Sequence, residues 1–255
     1  MKGKHAIKKR KKNKLIILMQ IIFIIMLIYS SAEITKWFID NKKNEDIMKN
    51  VSGAVKIVKD EENEASNTKY EIDFNKLKQI NNDTVAWIKV NNTNIQCPIV
   101  KTNNNDYYLT HNFEKQSNKA GWVFMDYKNK LDGTDKNIVV YGHNMRNGSM
   151  FGSLLNVLTK EWQENNENQY ITFATDNNLE TYQVFSVYQI ESEDYYIKTD
   201  FAEDEFENFI KEIKKRSQKN FDVEVDKNDN ILTLSTCANN NSYRVVLHAK
   251  KIKWK

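Results

Sequence analysis

The chain has 255 residues, 40% hydrophobic and 28% charged, enough for one sizeable core and a small appendage. The net charge of +4 sits at one end: residues 1–14 hold eight Lys/Arg and no acid, so subtracting those eight leaves −4 for residues 15–255. That mildly acidic body argues against nucleic acid as a partner, and two cysteines, Cys97 and Cys237, are too few for a disulfide-stapled scaffold.

Residues 15–32 (LIILMQIIFIIMLIYSSA) are 18 uncharged positions, at the short end of what spans a bilayer. Basic residues precede the run, Glu33 follows it, and Tyr29 and Trp37 suit an interface. The expectation is a single-pass anchor with residues 1–14 as a basic cytoplasmic tail and the body outside the cell membrane. A cleaved signal peptide, with Ser30-Ser31-Ala32 as its small-residue site, is the rival; the length of the apolar run favours the anchor.

Ile47, Met48, Val51 and Val55 recur at roughly helical spacing, which predicts a helix within 33–58. Residues 59–68 (KDEENEASNT) are polar and read as a linker, so 33–69 form a helical extension and linker and 70–255 the globular domain.

Short runs rich in Val, Ile, Tyr, Phe and Thr follow at 85–90, 95–100, 122–125, 138–141, 170–175, 182–190, 231–236 and 244–252. Strands at such spacing predict a mainly β barrel or sandwich. Asp176-Asn177-Asn178 reads as a hairpin connection, and the sole proline, Pro98, belongs at an edge or bulge. Phe151, Leu154, Leu155 and Leu158 predict one helix, capped by Ser149. Phe206, Phe209, Ile210 and Ile213 predict a second, opened by an Asp200-x-x-Glu203 capping box.

Thr233-Leu234-Ser235-Thr236-Cys237 is an alternating strand with Leu232 and Leu234 on one face and Thr233, Ser235 and Cys237 on the other. Cys237 then lies at the strand end, before the loop 238–243. Spacing alone leaves open a small buried hydrophobe or a nucleophile. A nucleophilic thiolate needs a nearby cation, a general acid/base and oxyanion donors. Of four histidines, His5 is in the basic tail, His111 is in a polar loop and His248 lies too far along its strand from Arg244. His143 follows a strand and Gly142, a placement that can face a cleft.

The segment 233–237 resembles the TLxTC signature of the sortases. Tyr141-Gly142-His143 is similar to that family's histidine motif, and Arg244-Val245-Val246-Leu247-His248-Ala249-Lys250 to the strand carrying its arginine. Four features resemble class B: Asn82-Asp83-Thr84-Val85-Ala86-Trp87-Ile88; Tyr107-Tyr108-Leu109 with Asn112-Phe113; Ala120-Gly121 leading to Phe124-Met125-Asp126; and a helical insertion around 200–219. The resemblance covers roughly 70–255. It implies a closed eight-stranded sortase-type β-barrel with N-terminal helices and a long helix before the nucleophile strand. It implies Cys237 as nucleophile, His143 as general acid/base and Arg244 as stabiliser of the oxyanion or substrate. It also suggests Tyr141, Ser235, Thr236, Asn105, Leu109, Tyr196 and Ile197 for a sorting-signal groove. The partners implied are secreted proteins with a C-terminal, NPxTx-like sorting signal and an amine of a peptidoglycan precursor. No cofactor or metal is expected, since the His/Cys spacing of a zinc site is missing. Asn239, two past the nucleophile, argues against an obligatory third carboxylate, and Cys97 reads as structural. Two rivals are a cysteine protease that uses water as acceptor and a membrane-tethered β-domain that only binds.

Overall fold

A computed structural model of the chain describes residues 3–59, 68–202, 204–238 and 243–252. The chain divides into two compact units, Met1–Lys43 and Asn44–Lys255. The described part of the first is helical, within α1 (Gly3–Ser52). Its side chains from Leu15 to Tyr29 are largely exposed, and the helix is long and apolar enough to cross a membrane.

In the second unit the last turns of α1 bury Ile47 and Val51 in the core. The helix ends at Ser52, and Gly53 leads into β1 (Val55–Lys59), which pairs antiparallel with β2 (Thr68–Ile72). The helical reading of Val55 is therefore corrected: VKIVK alternates and is β-branched, and it follows a glycine, all of which favour a strand. Most of the expected linker, 60–67, lies outside the described residues. A short helix absent from the sequence reading, α2 (Phe74–Ile80), is capped by Asp73, whose carboxylate accepts from Lys76 N at 2.9 Å.

Eight strands close the barrel expected from the sequence. They are β3 (Thr84–Val90), β4 (Gln96–Val100), β5 (Phe124–Met125), β6 (Asn137–Gly142), β7 (Tyr170–Ala174), β8 (Leu179–Glu191), β9 (Ile231–Ala238) and β10 (Tyr243–Ile252). Their order around the barrel is β3-β4-β5-β6-β9-β10-β8-β7, returning to β3. Neighbours are antiparallel except β4 with β5 and β6 with β9. The turn at Asp176-Asn177-Asn178 joins β7 to β8, with Thr175 N donating to Asn178 O at 2.8 Å. Pro98 is tolerated inside a closed barrel because β5 meets β4 only at Val100, so Pro98 is locally at an edge.

Two helix expectations change. Residues 152–158 form a 3-10 helix (Gly152–Leu158) whose N-cap is Phe151, not Ser149. A Cβ on Gly152 would meet Met145 O at 2.2 Å, so the close approach of the two segments requires glycine at the first position of this helix. Beyond the short α3 (Lys160–Glu164), the second expected helix, α4 (Glu205–Lys215), starts after Asp204 rather than at Asp200, and Glu203 lies outside the described residues. The Glu205 carboxylate accepts from the Ala202 N–H at 2.9 Å, and the N-cap Asp204 makes no side-chain cap bond. Phe206, Phe209, Ile210 and Ile213 of α4 are buried as the stripe predicts.

β9 is buried on both faces from Ile231 to Thr236. Leu232 and Leu234 are fully buried, but so are Thr233, Ser235 and Thr236. The β8–β9 connection packs beside this strand: Ser186 Oγ on β8 donates to Ile213 O of α4, and Phe209 packs on His248.

Candidate active site

The parallel pairing of β6 with β9 brings distant sequence segments together at one end of the barrel. Tyr141 lies opposite Ser235 and Gly142 opposite Thr236, and Thr236 Oγ1 donates to Gly142 O at 2.7 Å. His143 and Cys237 are the next residues on each chain. Cys237 is paired across the β9–β10 ladder with Arg244, as the order of the last two strands suggests. The loop position Asn239 lies outside the described residues, and for Cys237 the backbone alone is described. Gly142 is required at the crossing because a Cβ there would approach the Phe151 ring to 2.6 Å.

His143 is half-buried, and its Nε2 lies 2.8 Å from Leu109 O. A carbonyl only accepts, so Nε2 carries the proton and, in the neutral ring, Nδ1 holds the free lone pair. Leu109 ends a 3-10 turn (Tyr107–Leu109), and Gly121 sits behind it at φ +57°. A Cβ on Gly121 would stand 2.9 Å from Leu109 O and 3.1 Å from the His143 ring. The left-handed glycine is what allows the histidine and its carbonyl to sit this close.

Beside them opens a groove of about 620 Å³. His143 and Arg244 line it, as do Asn105, Leu109, Tyr141, Tyr196, Ile197, Ser235 and Thr236. Every candidate with described side chains thus faces one cavity. Arg244 is half-buried, its Nη1 donating to Tyr243 O at 3.3 Å. Tyr196 OH and Ser235 Oγ are 3.0 Å apart.

Asp126 has no role in the sequence reading, yet it organises a wall. This buried carboxylate accepts from Tyr141 OH at 2.8 Å, Asn105 Nδ2 at 2.9 Å and Lys128 N at 2.9 Å. Burial, and then the adjacent Asp126 charge, push the Tyr141 hydroxyl above its ordinary pKa, so it remains a neutral donor. Nothing in the sequence marks a carboxylate fifteen positions before Tyr141 as its partner. Three acids lining the groove, Asp106, Glu193 and Asp194, were also unmarked.

The set-aside residues take ordinary places. His248 is fully buried between Thr233 and Tyr188, and burial pulls it from 6.5 to about 3. His111 stacks on Tyr107 at 4.1 Å, with its Nδ1 2.8 Å from Tyr107 O. Cys97 is buried in the core and its thiol is pushed up to about 12 by desolvation, which keeps it unreactive.

A closed barrel with a strand-end cysteine beside a histidine and an arginine is the arrangement of a cysteine acyltransferase, and comparison with known proteins agrees. The sortase domain model matches residues 88–252. Sortase B of Listeria monocytogenes is 33% identical over 231 residues, spanning 88% of this chain and 92% of that protein. Sortase B of Clostridium perfringens superposes with a TM-score of 0.67 at 40% identity, covering 71% of this chain and 100% of that one. Sortase B from B. anthracis gives 0.73 at 33% identity, covering 85% and 100%. The chain belongs to the sortase family, and within it to the class B sortases, which are cysteine transpeptidases.

Proposed function

We propose that this sortase cleaves a C-terminal sorting signal after threonine and joins the released carbonyl to a peptidoglycan amine. The observation that supports it most directly is the shared groove, which gathers His143, Arg244 and the walls around the register position of Cys237. The Cys237 thiol passes its proton to His143 Nδ1, and the thiolate attacks the threonine carbonyl, forming a C–S bond, with the oxyanion held by the Arg244 guanidinium. His143, its ring fixed by Leu109 O, gives a proton from Nδ1 to the leaving amine as the C–N bond breaks. An incoming amine attacks the thioester, loses its proton to His143, and expels the thiolate. Tyr141, Asn105, Leu109, Tyr196, Ile197, Ser235 and Thr236 contact the sorting peptide, which is NPxTx-like. A relative, sortase B, has been solved complexed with Gly3, which favours a primary amine as acceptor.

In this reading residues 1–14 are a cytoplasmic tail, 15–32 a membrane anchor, 33–69 an extension and linker, and 70–255 the catalytic domain outside the cell. Tethering would hold the enzyme where secreted substrates meet lipid-linked wall precursor. No cofactor takes part. The test is to incubate the protein with a panel of sorting peptides and an added oligoglycine or other amine, and to identify products by mass. Amide-linked product is expected. Hydrolysed peptide alone, at every amine concentration, would instead favour the protease reading.

A further inference from the structure

A buried chain of hydrogen bonds runs beneath one wall of the groove, and its direction can be worked out proton by proton. Asn137 Nδ2 faces two carbonyls, Tyr196 O at 3.2 Å and Lys198 O at 2.9 Å. Its Oδ1 therefore faces Thr233 Oγ1, 2.6 Å away, and the threonine must donate to it. With that proton committed, Thr233 can only accept from His248 Nδ1, 2.8 Å away. A neutral His248 protonated on Nδ1 then accepts at Nε2 from Tyr188 OH at 2.8 Å, and Tyr188 accepts from Tyr195 OH at 2.9 Å. Both ends of the chain reach the same 3-10 turn (Tyr195–Ile197), one at its first hydroxyl and the other at its second carbonyl.

That turn supplies Tyr196 and Ile197 to the groove, yet its own local structure is weak. It has three residues and no side-chain cap bond, and the following helix α4 also starts without one. Asn137, Thr233 and His248 are fully buried, and they stand on β6, β9 and β10, the strands that carry His143, Cys237 and Arg244 at or next to their ends. A charged His248 would offer two donors, reverse the link to Tyr188 and leave the Tyr188 proton without its acceptor. Burial, which keeps the ring neutral, preserves its direction.

We propose that His248, with Thr233 and Tyr188, forms a set of positioning residues that fixes the Tyr196–Ile197 wall against the strand bearing Cys237 and so sets affinity for the sorting peptide. The proposal rests on the transpeptidase reading for its substrate, but not for its structural readout. Thr233→Val removes the central hydroxyl, and Tyr188→Phe breaks the chain farther from the nucleophile strand. Thr233→Ser keeps the hydroxyl and should restore it.

In the full chain, KM for the sorting peptide should rise roughly tenfold in Thr233→Val and Tyr188→Phe, with kcat changed by less than about twofold. Hydrogen exchange of backbone amides 194–198 should quicken in both, and alkylation of Cys237 by a small reagent should keep its rate. Thr233→Ser should match wild type in each measure. Unchanged KM and exchange in the first two variants would overturn the proposal. A lowered melting temperature without faster exchange at 194–198, or an equal defect in Thr233→Ser, would also overturn it. If the wild-type protein cleaves no sorting peptide, the functional reading fails, while the exchange comparison still decides this one.

Discussion

Gly121→Ala should uncouple the proposed general acid/base from the barrel. At φ +57° an alanine costs about 1–2 kcal/mol relative to glycine. The larger effect is steric, because the new Cβ would lie 2.4 Å from Tyr108 O and 2.9 Å from Leu109 O, both backbone atoms. Ordinary C···O contacts begin near ~3.3 Å, so the Tyr108 carbonyl must retreat by about 0.9 Å and draw Leu109 with it. Leu109 O is what holds His143 Nε2 at 2.8 Å, so the ring loses its anchor. Displacements of about 1 Å in a catalytic group can cost on the order of 100-fold. The expected result is kcat for peptide cleavage lowered roughly 10- to 100-fold, with a melting temperature lowered by about 5–10 °C for a total of ~2–3 kcal/mol. The assay is steady-state cleavage at 20–25 °C, normalised to folded protein, beside a melting curve. Gly133→Ala is the control: Gly133 has φ +88° but nothing within 4 Å of its Cβ, so it isolates backbone strain. Gly121→Ala turnover within twofold of wild type, or an equal kcat loss in Gly133→Ala, would refute the reasoning.

Cys237→Ala should abolish cleavage and transfer while leaving the melting curve nearly unchanged; activity persisting through Cys97 would remove the assignment. Cys97→Ala should keep most activity and lose about 1 kcal/mol, since its thiol is buried and pushed up to about 12, and mass spectrometry after brief alkylation of the folded protein should find Cys97 unmodified. Arg244→Lys should lower turnover by about 10²–10³ with little change in melting, because an ammonium lacks the planar fork; near-normal turnover would take Arg244 out of the chemistry. His248 is held at about 3 against 6.5 in the unfolded chain, so its contribution is complete above 6.5 and is lost as pH falls towards 3. Denaturant titrations at pH 7.5, 6 and 5 should show up to about 1.4 kcal/mol lost per pH unit in that window, a slope that His248→Gln should flatten.

The barrel was legible because its strands carry β-branched and aromatic runs separated by Asn/Asp turns, and each of the eight expected runs overlaps an observed strand. Less was legible where a neighbour decides the conformation. Residues 152–158 show a helical stripe but form a 3-10 helix, and the packing of Gly152 against Met145 has no signal in the sequence. Val55 fits helical spacing, and Gly53 before a β-branched run was the overlooked signal. In the site, Cys237, His143 and Arg244 stand at strand ends, where a motif can be read along the chain. The support of Asp126 for Tyr141 and of Leu109 for His143 arises from packing between segments, and no local pattern encodes it. Of the polar residues of β9, Ser235 and Thr236 line the groove. Thr233 is instead fully buried and bonds His248, a partner fifteen positions away.

The β6–β9 pairing also governs the order of assembly. Gly142 and Thr236 are 94 positions apart, so β6 can take its parallel neighbour only after the intervening 3-10 turns, β7, β8 and α4 have been made. Closing so large a loop is entropically slow, and contacts of this separation form late. Imidazole and thiol therefore belong to segments that stay apart throughout early folding, and they meet only when the final strands complete the ring. A chain stopped before residue 231 holds the histidine without its strand partner, and a chain still folding holds a cysteine with no acid/base beside it. Acyl-transfer competence is thereby a property of the finished barrel.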